Sequence, residues 1–190
     1  MKKDLSKYDD KQLYLLVKNG DTRQKEEAFA ELYTRYSRGI YAYCRRILGS
    51  EDIAEDIFQE TFLSFLKSTE KEREMTNVQA FLLRIARNLC LNMNRQKKTK
   101  IFSLEEFDFG IEDNRLERTE ISKIIISALD LLPDEQREAV VLQIYYDMSY
   151  QDMADFLGLP LSTVRNRVTR GKQSIRRILA PYFEKNEIKT

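Results

Sequence analysis

The chain has no histidine, only two cysteines, three prolines and six glycines among its 190 residues. Each scarcity excludes something. Without imidazole, His-based general acid–base catalysis and the usual zinc patterns are unavailable, so neither a metal nor a cofactor is expected. Cys44 and Cys90 fall inside apolar periodic segments and read as small core residues of a reduced, cytoplasmic protein. So few turn-forming residues leave few chain reversals, which favours long helices. No apolar run approaches the ~20 residues needed to cross a bilayer. The start, Met1-Lys2-Lys3-Asp4, is followed by no apolar stretch and does not read as a signal peptide.

What is present is 42% hydrophobic and 33% charged residues, enough apolar content for a core. Net charge is only +1, but it is unevenly distributed. Leu82 to Lys100 holds no acid and carries Arg84, Arg87, Arg95, Lys97, Lys98 and Lys100. Phe156 to Phe183 is also free of acid and carries Arg165, Arg167, Arg170, Lys172, Arg176 and Arg177. Between them lies an acidic stretch containing Glu105, Glu106, Asp108, Glu112, Asp113 and Glu117. Two basic segments joined by an acidic one suggest two contacts with a polyanion and a tether that avoids it.

Apolar spacing predicts an all-α chain of two small helical domains, 1–98 and 116–185, joined by an acidic linker, 99–115. Helices are expected from Asp9 to Lys18, Thr22 to Leu48, Glu51 to Lys67 and Val78 to Gln96. Ser50 and either Thr76 or Asn77 stand as caps, with a loop over 68–76. The pattern resumes at Leu116 and breaks at Pro133. It then predicts a helix from Asp134 to Asp147, with Ala139, Val140, Leu142, Ile144 and Tyr145 in the core. Ser149 can cap a short helix ending at Gly158, and Ser162 can cap a last one reaching Leu179.

The last two helices form a helix-turn-helix pattern. Ala154 is small where the helices must approach, Gly158 permits the turn, and Val164 and Val168 face inward. That leaves Ser162, Thr163, Arg165, Asn166, Arg167 and Arg170 on the outward half, where a recognition helix meets a major groove. Arg pairs with guanine and Asn with adenine, and hydroxyls suit phosphate. The helix over Glu51 to Lys67 carries an acidic face of Glu51, Asp52, Glu55, Asp56, Gln59 and Glu60. No His and no Gly-rich phosphate loop accompany it, which argues against catalysis.

Several segments then carry a resemblance. Ala54-Glu55-Asp56-Ile57-Phe58-Gln59-Glu60-Thr61-Phe62 and Phe81-Leu82-Leu83-Arg84-Ile85-Ala86-Arg87-Asn88 resemble region 2 of extracytoplasmic-function (ECF) sigma factors of bacterial RNA polymerase. Leu132 to Glu138, Ser149 to Ala154 and Gly158 to Arg167 resemble region 4 of the same family. The likeness spans nearly the whole chain, in order. Phe65 supplies aromatic bulk where that family commonly has tryptophan.

The resemblance implies a non-enzymatic sigma factor that binds core RNA polymerase and directs promoter-specific initiation. It implies that Asp56, Gln59 and Glu60 contact the polymerase. It further implies that Asn77, Arg84, Arg87, Asn88, Arg95, Lys97 and Lys98 hold the single-stranded −10 element, since a melted strand needs a cationic track. Ser162, Thr163, Arg165, Asn166, Arg167 and Arg170 would read the −35 element as duplex. An anti-sigma factor is an expected partner, without direct membrane insertion.

Two other classes stand beside this one. A stand-alone helix-turn-helix regulator would use residues 1–98 for a ligand or for dimerisation, but has no need of the basic segment at Arg84 to Lys100. A DNA recombinase would need a catalytic Arg-Ser or Arg-Tyr arrangement, and none is evident.

Overall fold

A computed structural model of the protein describes residues 4–70, 75, 77–100 and 120–187. Among these there are eight α-helices and no strand. The chain divides into two compact units, Met1–Lys98 and Thr99–Thr190.

In the first unit, a short 3-10 turn, Leu5–Lys7, precedes α1 (Asp10–Asn19), α2 (Thr22–Leu48), α3 (Glu51–Thr69) and α4 (Val78–Lys100). Asp9 and Asp21 open α1 and α2 with reciprocal caps. Each carboxylate accepts from the N–H of Gln12 or Gln24 (2.7 and 2.8 Å), while each glutamine accepts from the aspartate N–H (3.0 Å). These boxes satisfy amides that a helix start otherwise leaves free. Ser50 occupies the cap position of α3 but its side chain makes no capping bond.

The helices bury one stripe each around Leu13, Tyr14, Leu32, Tyr43, Cys44, Ala54, Phe65, Leu82 and Cys90. Phe65 of α3 joins the helices on either side, meeting Tyr14 of α1 edge-on (6.3 Å between centroids) and Phe81 of α4 (6.2 Å). Arg35 of α2 ties down the amino-terminal turn. It pairs with Asp10 (3.0 Å) and Glu31 (2.9 Å) and donates to the Ser6 carbonyl (3.0 Å). Tyr36 donates to the same Asp10, and burial, with that bond, pushes its phenol pKa up.

The second unit holds α5 (Glu120–Asp130), α6 (Asp134–Tyr146), α7 (Tyr150–Leu157) and α8 (Leu161–Glu187). Its core gathers Leu129, Leu132, Val140 and Ile175, with Met153, Val164 and Val168 also buried. Arg137 binds the carbonyls of Leu129, Asp130 and Leu132 at 2.7–3.0 Å. It thereby ties the end of α5 and the turn after it to the start of α6.

The structure revises several sequence expectations. α3 continues to Thr69 and α4 to Lys100. α8 continues to Glu187 through Pro181, which removes one backbone bond without ending the helix. Ile144 and Tyr145 are 57% and 44% exposed, because they lie in the last turn of α6, before Asp147 turns the chain in the left-handed region. Val141 and Glu138 are buried in that helix instead. Ser162 is not the cap of α8: the Thr163 and Val164 amides bond to the Pro160 carbonyl (2.9 and 3.2 Å), so Ser162 sits inside the first turn. Apart from Thr99 and Lys100, the expected linker lies outside the described residues, as do 71–74 and 76 of the expected loop.

Candidate nucleic-acid interface

In the second unit the chain between α7 and α8 is fixed at both ends of α7. Ser149 Oγ accepts from the Asp152 amide (3.1 Å), and the Asp152 carboxylate accepts from the Ser149 N–H (3.2 Å) and hydroxyl (2.6 Å). At the other end Gly158 takes φ +66°, a left-handed conformation natural to glycine. There the Leu159 amide returns to the Ala154 carbonyl (3.1 Å), closing the helix. The chain therefore re-enters a helix after only three residues, and α8 is anchored by Val164 and Val168, both fully buried.

That anchoring sets what α8 presents. Ser162, Arg165, Asn166 and Arg170 are exposed, and Thr163 and Arg167 are half-buried. The two arginines at 165 and 167 meet different neighbours. The Arg165 guanidinium lies 5.9 Å from the centre of the Tyr150 ring, so α7 steadies it through its aromatic face. Arg167 Nη2 reaches Glu135 Oε2 of α6 at 2.8 Å. A cavity of about 260 Å³ opens between α6 and α8, lined by Glu135, Gln136, Thr163, Asn166, Arg167 and Arg170. Sequence reasoning assigned no role to Tyr150 or Glu135. The Tyr150–Arg165 contact and the Glu135–Arg167 pair each join residues far apart in the chain, and no local spacing announces either.

In the first unit, α4 buries Leu82, Leu83, Ala86 and Cys90. Arg84, Asn88 and Arg95 are exposed, and their spacing of four and eleven residues aligns them on the opposite side of the helix. Arg87 is half-buried on the flank of that stripe. Asn77 is exposed and caps α4, accepting from the Ala80 amide at 2.8 Å. The side chains of Lys97 and Lys98 lie outside the described residues.

On α3, Asp56 and Gln59 are exposed and Glu60 is half-buried. Glu60 accepts from Ser64 Oγ (3.1 Å) and stands 3.8 Å from Lys67 Nζ. The opposite side of α3 packs Phe58 and Phe62 against Tyr33 of α2 (5.9 and 4.8 Å), which fixes the rotation that turns the acidic residues outward. Among the described residues, no group of three or more His, Cys, Asp or Glu is placed to hold a metal. No described helix is long and apolar enough to cross a membrane.

Comparison with known proteins gives matches in the same order as these elements. The sigma-70 region 2 family matches residues 32–100, and sigma-70 region 4 matches residues 122–175. The ECF RNA polymerase sigma factor SigW of Bacillus subtilis is 29% identical over 86% of this chain and 92% of its own. SigE of Mycolicibacterium smegmatis, also an ECF sigma factor, is 34% identical over 80% of this chain and 62% of its own. Among solved structures, the sigma factor RpoE in complex with the anti-sigma factor NepR from Bartonella quintana has a similar fold. Its TM-score is 0.70 at 22% identity, over 81% of this chain and 98% of that one.

Proposed function

The chain belongs to the ECF sigma factors of bacterial RNA polymerase, and from that membership we propose which of its surfaces performs each part of the work. As a member it is not an enzyme. It binds core polymerase and directs initiation at particular promoters. The proposed division is that α3 meets the polymerase through Asp56, Gln59 and Glu60, all on the side turned away from the aromatic packing. α4 holds the melted −10 strand along Arg84, Asn88 and Arg95, with Arg87 on its flank, Asn77 at its start and Lys97 and Lys98 beyond. α8 reads the −35 duplex.

The observation that carries the last assignment is the fixed rotation of α8. Two buried valines face in, and Ser162, Arg165 and Asn166 face out on a helix entered through a three-residue turn. Arg165 and Asn166 suit base edges, while Thr163, Arg167 and Arg170 suit the flanking phosphates. Separate cationic surfaces on the two units match a promoter with two separated elements. The proposed place of action is the cytoplasm, where the polymerase and its DNA are. The proposed regulatory partner is an anti-sigma protein, like the one bound to the Bartonella sigma factor.

Mapping transcript starts genome-wide after overproduction tests the reading. The expected result is a set of new starts sharing two upstream elements at a constant separation. An unchanged set of starts, or starts sharing a single element, would overturn it.

A further inference from the structure

The buried residues Val164, Val168 and Gly171 define the inward direction of α8. At about 100° per residue, Ser162 and Asn166 point nearly opposite to it. Thr163, Arg167 and Arg170 lie along one flank, the flank beside α6. There two guanidinium groups, a hydroxyl and the Asn166 amide gather around the 260 Å³ cavity whose other wall is Glu135 and Gln136. The anion already present is the chain's own. The Glu135 side chain, 70% exposed, stands 2.8 Å from Arg167, whose side chain is only 20% exposed.

We propose that this flank is a seat for a DNA backbone phosphate and that Glu135 is its internal competitor, occupying Arg167 until a phosphate replaces it. The inference rests on the reading of α8 as the −35 duplex reader. Carboxylate and phosphate present similar oxygen geometry to a guanidinium, so one can replace the other without repacking the helix. An ion pair with one exposed partner is held weakly, so the exchange costs little. The carboxylate also lowers the positive field that any duplex meets at this surface. Glu135 therefore reduces the part of the affinity that is blind to sequence. Being the same for every duplex, this effect cancels from the ratio between a specific and a non-specific site, which the base contacts of Arg165 and Asn166 set.

The test uses the full-length protein and two fluorescent duplexes, one carrying a −35 element from a mapped promoter and one scrambled, across a salt series. Glu135→Gln keeps the side-chain shape and removes the charge. It is expected to tighten binding to both duplexes by about three- to tenfold at low salt, to steepen the log–log salt dependence by about one, and to leave the ratio between the duplexes unchanged. In an Arg167→Gln background the gain should shrink to what the removed charge contributes through the field alone. Should the free protein bind neither duplex measurably, the same variants are compared as reconstituted holoenzyme on a promoter fragment. Unchanged or weaker binding by Glu135→Gln, or a gain undiminished by Arg167→Gln, overturns the proposal. If wild-type holoenzyme initiates normally while Glu135→Gln binds no tighter, only this inference fails. If wild-type holoenzyme initiates at no mapped promoter, the −35 reading fails and this inference with it.

Discussion

Arg165 and Arg167 are two positions apart on α8, yet their surroundings give them different work. Arg165 is exposed and steadied by an aromatic face that leaves its donors free, whereas Arg167 is half-buried and committed to a carboxylate. A single substitution separates the two. Arg165→Ala is expected to cost about 1–3 kcal/mol in −35 recognition and to relax selectivity at the position it reads. Competition binding with base-substituted duplexes measures this, and unchanged selectivity would remove Arg165 from the base-reading set. Much of this residue-scale picture was legible beforehand. Arg165, Asn166 and Ser162 follow from the phase set by Val164 and Val168, because helical periodicity fixes which side each residue faces. What the phase does not contain is the partner across the gap. Arg137 lies within a family-like motif, but its bonds to the end of α5 depend on how two helices meet, and nothing local in the sequence encodes that meeting.

At the scale of elements, the approach of α8 to α6 is set by the absence of a side chain. A Cβ at Gly171 would stand 2.6 Å from Val140 Cγ2 and 3.3 Å from the Gln136 carbonyl. Val140 is fully buried and has little freedom to move. Gly171→Ala is therefore expected to destabilise the second unit by about 1–3 kcal/mol, despite alanine's better helix propensity. Thermal unfolding followed by circular dichroism would register this as a lower Tm, and an unchanged Tm would mean that the helices separate at no cost. The acidic side of α3 makes the opposite prediction for folding. Asp56→Ala with Gln59→Ala touches only exposed side chains and should change stability by less than about 0.5 kcal/mol. Pull-down of core polymerase should nonetheless fall clearly, and undiminished pull-down would make that face mere solvated surface. Helix positions were readable from apolar spacing, and Gly158 and Ser149 from their conformational chemistry. Helix ends were read less well. Pro181 ends nothing, because losing one backbone bond inside a long helix does not unwind it, and Pro160 rather than Ser162 supplies the first acceptor of α8.

For the whole molecule, a net charge of +1 conceals two cationic segments, one on α4 and one on α8, in separate compact units. Sequence-blind attraction to DNA grows with the number of phosphates contacted at once. A protein that divides its contacts between two units binds a promoter well only when both are engaged. The division proposed above requires that one chain bring core polymerase to a promoter through two separate DNA contacts. Run-off transcription with purified core polymerase tests this most directly, using a mapped promoter and versions with either element scrambled. The expected product is a transcript of defined start that requires the protein and is lost or sharply reduced when either the −10 or the −35 element is scrambled. A transcript indifferent to one of the two elements, or none at all from core polymerase supplied with the protein, would contradict it.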